Sequence, residues 1–145
     1  MNLKSIFVFM ICFLAYPVLS NAATLSIGND SGFSGDQVEI PISIQSSSED
    51  PSDVDFTIIF DSEKITVANV LLGEAGQIAK KGNPEYKVNN DNELTVLVTT
   101  LQPTIIPNGE LVIIVFQIKS EASLGKSDLI FKKANVSRPL HFLDR

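Results

Sequence analysis

In QVEIPISIQ, residues Gln37–Gln45, apolar side chains occupy every second position. Successive side chains of a β-strand point to opposite faces, so four of them share one face: Val38, Ile40, Ile42 and Ile44. The other face carries polar residues and Pro41, which lacks a backbone N–H and therefore predicts an edge strand or a bulge. The pattern indicates a strand that lays one face on a hydrophobic core.

Further short strands are expected after this one, separated by Gly, Pro, Asn and Asp. They are predicted at 54–60, 65–72, 86–88, 94–98, 110–119 and 128–132. The polar run 89–92 reads as a hairpin turn, and 74–81 could form about two helical turns. Short strands at regular spacing predict an all-β sandwich or barrel. In the sandwich we expect four side chains to be buried between the sheets: Phe56, Phe60, Ile114 and Phe116.

The N-terminus reads as a secretory signal peptide. Lys4 precedes an apolar run at 6–19, and Ser20 and Ala22 supply the small residues that a signal peptidase recognises. We therefore expect export, removal of residues 1–22, and one mature domain at 23–145 that has no membrane span and is extracellular or periplasmic. The single cysteine, Cys12, leaves with the signal, so the mature domain is held by its core without disulfides.

Charge and reactive side chains exclude several classes of function. The net charge of −6 argues against nucleic acid and anionic membranes as partners. His141 is the only histidine, so histidine-based or zinc chemistry would depend on one residue near the end of the chain. Phosphate-loop and nucleophile-elbow motifs do not occur. We expect a non-catalytic protein without a cofactor or a bound metal.

The acidic run at 49–55 leaves two weaker alternatives open. Glu49, Asp50, Asp53 and Asp55 could supply the carboxylate pair of a glycosidase or could ligate calcium, although a solvated acidic loop explains the same run. A stacking site for carbohydrate is poorly supported, because the chain has no Trp and Tyr86 is the only tyrosine outside the signal.

Three segments, in order, resemble the cohesin domain family. Residues 35–42, GDQVEIPI, are similar to its opening strand G-D-x-V-x-(I/V)-P-(I/V). Residues 55–61, DFTIIFD, followed by Lys64 and Ile65, are similar to its D-F-x-(L/V)-x-Y-D-x-x-x-L segment. GELVIIVFQIK at 109–119, followed by ASLG at 122–125, resembles its G-x-L-x-x-(I/V)-x-F-x-(I/V)-K…A-x-x-G stretch. The resemblance implies an all-β, two-sheet jelly-roll sandwich of about nine strands, related to carbohydrate-binding modules.

The resemblance also implies docking of a calcium-loaded dockerin, usually carried by a polysaccharide-degrading enzyme, through one sheet face. In cohesins the strand that contacts the dockerin carries polar residues at the positions of Asp53 and Asp55. A neighbouring strand carries an exposed apolar residue at the position of Leu97. In the family register three further apolar residues point outward from a third strand. The expected partner-binding residues are Asp53, Asp55, Thr57, Ile59, Thr95, Leu97, Thr99, Leu111, Ile113 and Val115.

If the three strands are neighbours, as in cohesins, these residues form one apolar patch with a polar rim, which is the anatomy of a protein interface. A loop or residues 140–143 could instead cover this face as a second small core. We expect a secreted module that docks a protein partner, such as a dockerin-bearing enzyme. The alternative is a carbohydrate-binding module with the same fold, whose ligand is a polysaccharide.

Overall fold

The computed structural model describes residues 23–46, 50–100 and 104–138, together with the backbone of two short strands before them. The strands within this part are β1 (Phe9–Ile11), β2 (Val18–Leu19), β3 (Thr24–Ile27), β4 (Asp30–Gly32), β5 (Gln37–Gln45), β6 (Asp53–Ile59), β7 (Ile65–Leu72), β8 (Glu85–Asn89), β9 (Glu93–Val98), β10 (Gly109–Ile118), β11 (Gly125–Lys126) and β12 (Ile130–Ser137). One helix, α1 (Glu74–Ile78), stands among the same residues.

Nine of these strands build two antiparallel sheets that form the layers of a sandwich. One sheet has the order β2-β3-β5-β10-β7 and the other has the order β12-β6-β9-β8. The remaining strands, β11, β1 and β4, form a small third sheet. The fold predicted from the sequence, an all-β two-sheet sandwich, is confirmed.

The core lies between the inward faces of the two main sheets. Alternation along β5 and β10 directs one set of apolar residues into it, and alternation along β6 and β9 directs the other. The rings of Phe60 and Phe116 pack with their centroids 5.6 Å apart. All four side chains that were predicted to be buried, Phe56, Phe60, Ile114 and Phe116, belong to this single cluster.

Pro41 does not mark an edge, because β5 lies between β3 and β10. The backbone N–H of Gly28 donates to the carbonyl of Pro41 at 2.8 Å, one residue beyond the last residue of β3. In an antiparallel sheet the N–H and C=O of one residue point to the same neighbouring strand. The position where Pro41 lacks an N–H therefore faces the β3 side, at a point where β3 has already ended. An internal strand can therefore hold this proline without losing a ladder hydrogen bond to β10.

The position of β10 differs from the one that the sequence predicts. It pairs with β5 and β7, whereas β6 and β9 pair with each other in the opposite sheet. Leu111, Ile113 and Val115 therefore do not lie beside Asp55 and Leu97, and the single apolar patch that would have joined them is wrong.

Leu111 is also wrongly predicted to point outward. The pairing of β10 with β5 shifts between Glu110 and Val112, which is a β-bulge that interrupts the alternation. Leu111 is consequently buried in the core, and its carbonyl accepts a hydrogen bond of 2.8 Å from the N–H of Gly73. Val115 is buried too, opposite Glu39 and Asn69, so it is not an exposed contact residue.

The hairpin turn between β8 and β9 is as predicted: Asn90 and Asp91 have φ of 49° and 61°, the left-handed region that such turns need. The described part of the chain contains no helix with the length and apolarity that a membrane crossing requires. Only the backbone of β1 and β2 is described from the expected signal peptide, and Glu49, the segment 140–143 and His141 lie outside the described residues.

Candidate functional site

The outward side of the β12-β6-β9-β8 sheet, called here the outer face, collects seven of the ten predicted partner-binding residues. Val54, Phe56 and Ile58 of β6 are buried, so the residues between them point outward, and β9 alternates in the same way. The seven residues are Asp53, Asp55, Thr57, Ile59, Thr95, Leu97 and Thr99. The other three, Leu111, Ile113 and Val115, belong to the opposite sheet.

The strand register arranges the outward side chains in rows that run across the sheet. Directly opposed residues of antiparallel strands share a face, so each row can be followed from β12 to β8. The row that we call the acidic row consists of Asn135, Asp55, Leu97 and Glu85. The adjacent row, two residues further along each strand, is called the lysine row and consists of Lys133, Thr57, Thr95 and Lys87.

Side-chain hydrogen bonds hold the polar groups of the outer face in place. The hydroxyls of Thr57 and Thr95 lie 2.9 Å apart at the centre of the lysine row. The amide of Asn135 donates to an Asp55 oxygen at 3.2 Å. These contacts restrict the rotamers of the central strand residues, so less conformational entropy remains to be lost when a partner binds.

The two ends of the outer face hold charges that already have partners. Beyond the lysine row, the ammonium of Lys132 lies 2.7 Å from a carboxylate oxygen of Glu93. Beyond the acidic row, the hydroxyl of Thr99 donates to Asp53 at 2.8 Å. An exposed ion pair contributes little to stability, but it does neutralise this end of the face.

Lys81 lies close to Asp53 and was not predicted from the sequence. Only 6 % of its surface is exposed, and its ammonium group has no hydrogen-bond partner among residues 23–46, 50–100 and 104–138. Burial lowers the pKa of Lys81 below its usual range, and the negative charge of Asp53 opposes part of this shift. The Asp53 carboxylate therefore compensates the buried Lys81 ammonium group only in part.

Leu97 gives the outer face its apolar centre, since 37 % of its surface is exposed. Beside it lies a shallow depression of about 240 Å³ lined by Glu85, Tyr86, Lys87, Thr95 and Leu97. Pockets that enclose small molecules are deeper and are usually about 300–1,000 Å³ in volume. The depression suits one side chain of a protein better than a small ligand.

The described residues include no cluster of three or more His, Cys, Asp or Glu that could hold a metal ion. What the outer face offers is a flat surface with an exposed leucine, hydrogen-bonded threonines and flanking charges. That combination of an apolar centre and a polar rim is typical of a protein interface.

Four members of the rows were not predicted from the sequence: Glu85, Lys87, Lys133 and Asn135. The hairpin at 89–92 could have revealed the first two, because a tight turn sets the register of the strands that it joins. The other two could not be placed in this way, because β12 continues five residues beyond its expected end at 132.

A family model described as "Cohesin domain" matches residues 23–139. No curated protein sequence matches the chain. The sixth cohesin of scaffoldin B from Acetivibrio cellulolyticus, solved with a dockerin, has a similar fold, with a TM-score of 0.67 and 22 % identity over 81 % of this chain and 87 % of that one.

Two further solved structures are similar to this chain. A cohesin of OlpA from Clostridium thermocellum, in a type I cohesin–dockerin complex, has a TM-score of 0.68 and 23 % identity, covering 79 % of this chain and 84 % of that one. The seventh type I cohesin of ScaB from Pseudobacteroides cellulosolvens has a TM-score of 0.61 and 20 % identity, covering 72 % and 70 %. At these identities the likeness concerns the fold.

Proposed function

We propose that this chain, which belongs to the cohesin domain family, is a non-catalytic module that docks a dockerin-like protein partner through its outer face. Two solved cohesins of similar fold are held in complexes with dockerins. The observation that carries the proposal for this chain is the outer face itself, where Asp55, Leu97 and the Thr57–Thr95 pair lie side by side in register.

The composition of the outer face supports a protein rather than a polysaccharide as the ligand. Sugar-binding faces use flat aromatic platforms, and none of the residues in its two central rows is aromatic. Leu97 offers an apolar anchor point, and the polar groups around it can exchange hydrogen bonds with the side chains of a partner.

We also propose that the protein is exported and that its mature form begins at Ala23. The support is the charged start at Lys4, the apolar run at 6–19 and the small residues Ser20 and Ala22. A dockerin attached to a polysaccharide-degrading enzyme would be met outside the cytoplasm, where its substrate is found.

The docking function is tested with one matched pair of substitutions. Leu97 and Leu71 are similarly exposed, at 37 % and 42 %, but lie on opposite sheets. Titration calorimetry of calcium-loaded dockerins, including those of the complexes above, should find a partner for the wild-type domain. We expect Leu97→Lys to weaken that binding by more than about tenfold and Leu71→Lys to leave it unchanged, because only the outer face is contacted.

Equal affinity of the wild type and Leu97→Lys would show that a different surface binds. Pull-down with insoluble cellulose or xylan belongs to the same experiment. Retention of the domain on polysaccharide, with no dockerin bound by calorimetry, would overturn the docking proposal in favour of a carbohydrate-binding module.

A further inference from the structure

We propose that the outer face selects its partner by the order of charge along its strands, an inference that rests on the docking function proposed above. The partner places a basic side chain on the acidic row, an acidic side chain on the lysine row, and an apolar group over Leu97. The occupant is thus a dockerin-like protein whose docking segment carries opposite charges one row apart.

The acidic row is the half of this pattern that attracts a cation. Asp55 and Glu85 stand on either side of Leu97, because Leu97 is opposed by Asp55 on β6 and by Glu85 on β8. Asn135, at the end of the row, donates to one oxygen of Asp55 and brings no charge. The row holds two carboxylates and no basic residue, so an arginine or lysine of the partner is attracted to it.

The lysine row is the half that attracts an anion. Lys133 is opposed by Thr57 and Lys87 is opposed by Thr95, so an exposed ammonium group stands at each end of a hydrogen-bonded threonine pair. Thr57 is buried, so the hydrogen bond to an incoming group comes from the partly exposed hydroxyl of Thr95. With two cations and no acidic residue, the row favours a carboxylate of the partner.

Three charged side chains next to these two rows already have partners within the domain. Lys132 and Glu93 form an ion pair on the lysine side, and the Asp53 carboxylate accepts a hydrogen bond from the Thr99 hydroxyl on the acidic side. The two central rows, in contrast, present two carboxylates beside two ammonium groups on adjacent rows of the sheet. A partner with the same net charge in another order would meet like charges at both rows, which selects against it.

The spacing of the rows fits one face of an α-helix. Outward residues of neighbouring rows are two positions apart on a strand, about 6.8 Å, and helix residues four apart are separated by about 6 Å. Across the sheet, the distance from β12 to β8 is three inter-strand spacings, or about 14 Å. This distance exceeds the diameter of an α-helix with its side chains, which is about 10–12 Å. A helix lying along β6 and β9 would have Lys87 and Lys133 at its two flanks.

The test exchanges the two rows without altering the net charge. The row-exchanged variant combines Asp55→Lys, Glu85→Lys, Lys87→Glu and Lys133→Glu, and its probe is a dockerin that binds the wild-type domain. We expect an affinity at least about tenfold lower, and recovery of binding when the charged residues of the dockerin's docking segment are reversed as well. The affinity of the wild type should also fall as NaCl is raised from 50 to 500 mM.

A matched control makes four exchanges outside the outer face: Glu63→Lys, Asp128→Lys, Lys119→Glu and Lys126→Glu. This control should bind like the wild type, and all variants should keep the wild-type thermal midpoint. Two results would show that the proposed charge order is wrong while the docking function still holds. In the first, the row-exchanged variant binds the unmodified dockerin as tightly as the wild type does. In the second, it loses binding and the charge-reversed dockerin does not restore it. If the wild-type domain binds no dockerin, the proposed function and this inference both fail.

Discussion

Lys81 places an ammonium group inside the domain, where none of the described residues forms a hydrogen bond with it. Burying a charge is unfavourable unless it is paired, and here the nearby Asp53 carboxylate compensates only in part. The pKa of Lys81 is lowered because the cost of burying its charge exceeds the compensation by Asp53. The folded state therefore releases the Lys81 proton more readily than the unfolded chain does. A group of this kind links stability to pH.

We predict that Lys81→Met is more stable than the wild type at pH 7, by about 1 kcal/mol, because it removes a poorly paired buried charge at similar volume. The difference should shrink as the pH rises toward the unfolded lysine pKa of about 10.4. In that window the unfolded wild type binds more protons than the folded form, so the stability of the wild type rises with pH.

Urea unfolding of both proteins at pH 7 and pH 10 measures this difference. All other ionisable groups are common to the two proteins, so their titration largely cancels. A gap that is the same at both pH values would mean that Lys81 does not titrate in the folded state below the usual lysine range.

At the scale of elements, the junction between α1 and β10 depends on a close approach of two backbones. A Cβ atom built at Gly73 would lie 2.3 Å from the carbonyl oxygen of Glu110, at the bulge that turns Leu111 inward. No flexible side chain is available to move away, since the contact is with backbone. The glycine therefore lets β7 end and α1 begin directly against β10.

We expect Gly73→Ala to lower the free energy of unfolding by about 2–3 kcal/mol, because the added methyl forces the β10 backbone to move. Gly82→Ala is the matched control, since its Cβ would meet nothing closer than the Thr99 carbonyl oxygen at 3.6 Å. That control should be neutral or more stable by up to about 1 kcal/mol. Chemical denaturation of both variants checks the pair, and equal losses would show that α1 does not need this close contact.

Alternation located β5, β6, β9 and β10 to within about two residues, because each of these strands lays one side on the core and repeats its apolar residues at every second position. β7 was located by its apolar run and by the glycine that follows it, since its buried residues Ile65 and Val70 do not alternate. Alternation could not show which sheet each strand joins, since that depends on long-range pairing. For this reason Ile113 was grouped with Leu97 although the two lie on opposite sheets.

Two local irregularities also limited the site prediction. The bulge between Glu110 and Val112 reverses the orientation of Leu111, and a second register shift, between Phe131 and Lys133, breaks the alternation of β12. Lys133 and Asn135 therefore carried no pattern that the sequence alone could reveal.

For the whole molecule, Ala23 is the first of the described side chains that belongs to the core. Of the segment before it, β2 pairs with β3 through two residue pairs and β1 belongs to the small third sheet. We predict that a chain starting at Ala23 folds with a thermal midpoint within about 4 °C of the full-length protein.

Circular dichroism melting of the two chains, with an amide NMR spectrum of each, measures this expectation. A shorter chain that unfolds without cooperativity would show that the first 22 residues are part of the folded domain, and the proposed maturation at Ala23 would then be wrong.

The acidic and lysine rows also make the outer face directional. One row lies toward the Asp53 end of β6 and the other toward the Ile59 end, so a half-turn of the partner about the normal to the sheet would set like charges together. With the charge order proposed above, the partner can sit only one way round. An enzyme attached to that partner would then always project from the same side of the domain. Several such domains in one polypeptide would hold their enzymes in the same orientation.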